Sequence, residues 1–79
     1  MIPLPNARET TDLVYLFRVA PPDQLELMIC QFRRFYFIAK HQNHLREHAE
    51  LYADAIRELG GEVRFNTPQE AASLDGGQQ

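Results

Sequence analysis

The chain has 79 residues, 44% hydrophobic and 24% charged, an ordinary composition for one globular domain. Its single cysteine, Cys30, excludes a disulfide framework and a cysteine-based zinc finger. A formal charge of −3 excludes a uniformly basic nucleic-acid binder, and the length leaves little room for a doubly wound nucleotide fold or a barrel.

Residues 1–6 carry two prolines and read as an extended arm. Asn6 and Glu9 then have capping-box spacing, with Asn6 as N-cap and Glu9 reaching back to it. Leu13, Leu16, Phe17 and Ala20 follow at helical spacing, which predicts a first helix. The competing reading is a strand over 13–19, since Val14, Tyr15, Phe17 and Val19 favour strands. Pro21 and Pro22 end the element either way, and Pro22 suits the first turn of the next helix, ahead of Asp23 and Glu26.

From Pro22 to Leu59 no further proline and no glycine interrupts the chain. At about 100° per residue, Leu25, Met28, Ile29, Phe32, Phe35, Tyr36 and Ala39 form one apolar stripe. Leu45, Ala49, Tyr52, Ile56 and Leu59 lie on nearly the opposite side, and so does a second stripe in the first half, Leu27, Cys30, Phe37 and Ile38. Two readings follow. Either the helix breaks within 40–44, or it continues for about 37 residues, roughly 55 Å, with one face on its own chain and the other on a partner. A helix that is apolar nearly all round must be buried nearly all round. The short elements predicted elsewhere cannot cover it, so self-association as a homodimer is expected. Gly60 and Gly61 cap the segment, residues 62–66 read as extended, and Thr67 to Glu70 form a second capping box opening a short helix to about Leu74. Residues 7–74 thus read as one helical domain and 75–79 as a disordered tail.

The expected fold is all-α: a small helical hairpin or bundle with one long central helix, straight or bent, and a short C-terminal helix, in a dimer. The alternative is α+β, with short strands at 13–19 and 62–66.

His41, His44 and His48 share one face of a continuous helix, and residues 44–48 match the inverted zincin pattern H-x-x-E-H. Taken literally, the pattern places two zinc-binding imidazoles beside a general base. It fixes only three positions, and so short a chain cannot wall off a cleft around a third ligand. The favoured reading is a polar histidine face, with metal binding through the three histidines as the third functional alternative. Cys30 lies within the apolar segment, about 16 Å along a straight helix from His41, so it reads as core. Without a phosphate loop or a nucleophile constellation, the chain is expected to be non-enzymatic, with no cofactor.

Residues 1–44 carry five cations against four anions, and residues 45–79 three against seven. Arg33, Arg34 and Lys40 are the candidate basic patch of the runner-up reading, a dimeric nucleic-acid-binding regulator. In the blander reading the two arginines lay their aliphatic stems along the edge of an apolar interface. Glu47, Glu50, Asp54 and Glu58 read as a solvated acidic face. The favoured function is a small protein-interaction module, an adaptor or inhibitor of a larger protein, such as the accessory proteins of phages and mobile elements. Its expected interface is Leu27, Arg34, Phe37, Ile38 and His41. The apolar run of residues 35–39, unexceeded in the chain, is far short of the roughly 18 residues of a membrane span. Glu9 and Asp12 precede the apolar residues near Leu13, the reverse of a secretion signal. A cytoplasmic protein with no membrane partner is expected.

Overall fold

Asn6 starts the first helix by reciprocal capping, as its spacing predicts. In the computed structural model, which describes residues 4–76, Asn6 Oδ1 accepts the Glu9 N–H at 2.8 Å and Glu9 Oε1 accepts the Asn6 N–H at 3.0 Å. Helix α1 (Ala7–Phe17) follows, so the alternative strand at 13–19 does not form. Its inward face departs from the expected stripe. Thr10 and Val14 are buried and Leu13 and Phe17 half-buried, whereas Leu16 is 61% exposed. The cause is the direction of packing: α1 leans mainly on the third helix rather than the second.

Helix α2 (Pro22–Lys40) has proline at its first position, Asp23 in its first turn and Lys40 in its last. It stops where the sequence left two readings open, and the broken one holds. Gln42 turns extended (φ −127°, ψ 122°), a single 3₁₀ turn spans Asn43–Leu45, and helix α3 (Arg46–Glu58) runs back along α2. The break forfeits a few helical hydrogen bonds, each worth about 1 kcal/mol net. In return, the stripes of the two halves face each other. Phe32, Tyr52 and Ile56 become fully buried, and each large apolar side chain removed from water contributes about 1.5–3 kcal/mol. Packing therefore favours the bend. Phe32 and Phe35 meet edge to face with centroids 6.1 Å apart, and Phe35 lies 5.7 Å from Tyr52. Ile29, Ala39, Ala49 and Leu59 complete this core as the two stripes predict.

Gly60 takes φ +87°, a conformation that suits glycine, and the Gly61 N–H bonds the Ile56 carbonyl at 2.8 Å to close α3. Gly61 also lies tight against α2: a Cβ there would sit 2.7 Å from Ile29 Cγ2. Residues 62–66 form no strand, because they have no neighbouring strand to pair with and bond instead to side chains and backbone of α2. Helix α4 (Pro68–Gly76) follows its predicted box, with the Thr67 N–H donating to Glu70 Oε1 at 2.9 Å and the Glu70 N–H to Thr67 Oγ1 at 3.2 Å.

Leu4 packs on the core and Pro5 is buried, its carbonyl accepting the Tyr52 hydroxyl at 2.7 Å, so the described part of the arm is docked. Asp75 and Gly76 belong to α4 rather than to a tail, while residues 1–3 and 77–79 lie outside the described residues. There is no strand among the described residues, and no helix among them is long and apolar enough to cross a membrane.

Candidate interaction surface

The second stripe of α2 is where the sequence places a partner, and the chain itself covers much of it. Cys30 is buried at 4% exposure, and Asn66 Nδ2 donates to its backbone carbonyl at 2.9 Å. Burial, followed by the nearby Glu70 carboxylate, pushes the Cys30 thiol above its ordinary pKa, the opposite of what a nucleophile needs. Leu74 of α4 lines two clefts, one beside Leu27 and the other beside Arg34 and Phe37. The strap formed by residues 61–76 therefore lies across the stripe and divides it.

A charge cluster fastens the strap. Arg33 is buried at 4% exposure, with Nε donating to the Glu62 carbonyl at 3.0 Å and Nη1 3.5 Å from Glu70 Oε2. Arg64 grips the same carboxylate with two nitrogens, at 2.8 and 2.9 Å. The Arg64 hydrogen bond first, and then the Thr67 N–H, hold Glu70 down at about 2 and keep it ionised. Glu70 hydrogen bonding in turn raises the Arg64 guanidinium further. Thus one glutamate caps a helix and pairs with two arginines. The capping box marks Glu70 in the sequence; nothing there marks Arg64 as its partner. Asn66 Oδ1 is buried without a donor, a cost of about 1–3 kcal/mol within the strap.

What stays open is an aromatic corner at the end of α2. Phe37 and Phe65 are 46% and 42% exposed and meet edge to face, with centroids 5.0 Å apart. The His41 ring lies 4.3 Å from Phe37 and 5.7 Å from Phe65, and its Nδ1 donates to the Phe37 carbonyl at 2.9 Å. Beside them opens a cleft of about 250 Å³ between α2 and α4, lined by Arg34, Phe37, Phe65, Ala71 and Leu74 among others. Of the expected interface, the structure brings together Arg34, Phe37 and His41. Ile38 is half-buried, and Leu27, although 47% exposed, opens on the far side of α4. Phe65 is not among the expected interface residues, since the reading of 62–66 as extended assigns its side chain no partner; an apolar aromatic in a five-residue connection is the signal that points to it.

The basic patch needs correction. Arg33 is inside and paired, so it cannot present its charge to a phosphate. Arg34 is exposed but bonded to Asp75 at 3.1 Å, and Lys40 lies 5.8 Å over the Tyr36 ring. The bend also separates the histidines. His41 belongs to the aromatic corner, His44 sits exposed in the 3₁₀ turn, and His48 is half-buried with its ring 6.4 Å from Tyr52. Among the described residues no group of three His, Cys, Asp or Glu side chains is placed to hold a metal ion. Glu47, Glu50, Asp54 and Glu58 are exposed, with Asp54 paired to Arg57 at 2.8 Å. No protein-family model, curated protein or solved structure matches the chain.

Proposed function

We propose that the chain is a non-enzymatic protein-interaction module, an adaptor or inhibitor that docks on a larger protein through the corner of Phe37, Phe65 and His41. The observation supporting it is the pair of phenylalanines left nearly half exposed on the rim of an apolar cleft. Aromatic and arginine side chains around a small pocket are the usual anchors of binding energy. Here the imidazole braces both rings, so little side-chain freedom remains to be lost on docking. An apolar side chain of the partner would seat against Phe37, Phe65 and Leu74. Arg34, whose exposed pair with Asp75 is worth about 0–1 kcal/mol, can exchange that carboxylate for one of the partner's.

The expectation of a homodimer rested on an uncovered second stripe, and the strap now covers its middle. A second copy at the same corner is the rival occupant. Affinity capture with wild-type chain and Phe37→Asp, alongside light scattering of each chain alone, separates the two. A monomer in solution is expected, with one partner protein whose affinity falls about 30-fold in Phe37→Asp, as loss of a 2 kcal/mol anchor requires. Equal capture by Phe37→Asp would overturn this docking site. A wild-type mass of two chains, halved in Phe37→Asp, would assign the corner to self-association.

A further inference from the structure

The sequence offers α1 an apolar stripe that the fold does not bury. Val14 and Thr10 turn inward against α3, while Leu16 stays 61% exposed and Leu13 and Phe17 are half-covered. Because α1 leans on α3, a trough remains between α1 and α2. Two adjoining clefts make it up, sharing Met28 and Gln31; one runs past Pro5, Leu13 and Phe35, the other past Phe17, Leu27 and Leu74. Its lining is mostly apolar, with Gln24, Gln31 and Ser73 as the uncharged polar members. Glu9 and Asp12 are the only charged residues lining either cleft, and neither has an ion-pair partner among the described residues.

We infer that this trough is a second docking site, and that its occupant is an amphipathic helix of another protein whose rim is basic. The eleven residues of α1 give the wall a length of about 16 Å, three turns of a helix lying alongside. Leucine-like residues on the occupant's inner face would cover Leu13, Phe17, Leu27 and Met28. Lysines or arginines on its edge would meet Glu9 and Asp12, which steers encounter and rejects acidic helices. A second copy of this chain is a poorer occupant, since its formal charge of −3 opposes the same rim. The trough lies on the other side of α4 from the aromatic corner, and the two sites share Leu74 alone among their lining residues, so they present separate surfaces, as an adaptor requires.

The test uses the full chain and two labelled helical peptides of about 14 residues, one of leucine and lysine in amphipathic order and one with glutamate for each lysine. Saturable binding of the lysine peptide is expected, at least tenfold tighter than the glutamate peptide and weakened by salt, with amide shifts centred on Leu13, Phe17, Leu27 and Met28. Leu27→Glu, at a cleft position 47% exposed, should weaken it about tenfold with helicity unchanged. Asp12→Lys should weaken it about fivefold, in keeping with one exposed charge pair. Phe37→Asp should leave it unchanged, so failure here and failure at the aromatic corner are read separately. Equal affinity for both peptides, shifts centred on Phe37 and Phe65, or no saturation would each overturn the inference.

Discussion

The α3 helix and the α4 strap both pack on α2, by opposite chemistry. Between α2 and α3 lie Phe32, Phe35, Tyr52 and Ile56, a contact of rings and aliphatic chains from which water is excluded. Between α2 and α4 the fastenings are Arg33, Arg64 and Glu70, an exposed Arg34–Asp75 pair and the Asn66 amide. No residue from 68 to 75 is fully buried. The first contact depends on area removed from water and is indifferent to pH and salt. The second centres on the ionised Glu70, with Phe65 against Tyr36 and Phe37 as its apolar part. Thus the hairpin is the scaffold of this molecule, and the strap is the part that conditions can loosen.

The hairpin is where the largest effect is expected. Phe32→Ala should cost about 3–5 kcal/mol, read as a lowered denaturation midpoint at which hairpin and strap unfold together. Separate unfolding of the strap first would show that the two regions are less coupled than their shared helix implies. Glu70→Ala is expected to cost about 2 kcal/mol, because it removes a cap and leaves the buried Arg33 guanidinium with only the Glu62 carbonyl. Glu70→Gln keeps the box and should lose less. In both variants hydrogen exchange should rise in α4 while α2 and α3 stay protected. Acid should do the same to the wild type. Glu70 is held down from an ordinary value near 4.5 to about 2, so its contribution is full above 4.5 and is lost as pH falls through 2. Amide signals of residues 64–75 should therefore shift over that window, ahead of those around Tyr52. At the small end, Arg34→Gln should change stability by under about 0.5 kcal/mol, since its pair is exposed on both sides.

The same contrast separates what was readable in the sequence from what was not. Apolar periodicity placed both stripes of the hairpin, and two capping boxes placed the starts of α1 and α4, because these signals sit within a few residues of one another. The bend was legible as one of two readings, and packing decided between them. The docking of the strap was not legible, since Arg33 and Glu70 stand 37 residues apart and no local pattern pairs an arginine with one glutamate rather than another. As a result neither the interface edge nor the basic patch expected for Arg33 anticipates its enclosure. The face of α1 was misread for a related reason: periodicity finds an apolar stripe but does not say which neighbour will take it.

The five-residue turn between α2 and α3 also orders events in time. Closing so short a loop costs little chain entropy, while the Tyr52–Pro5 and Arg33–Glu70 bonds span 47 and 37 residues. The best-packed pair of helices is therefore the one the chain can assemble soonest, and both ends dock onto it afterwards. Substitutions in the arm and the strap then act mainly on the rate at which the molecule opens, and leave the rate at which it first forms nearly untouched.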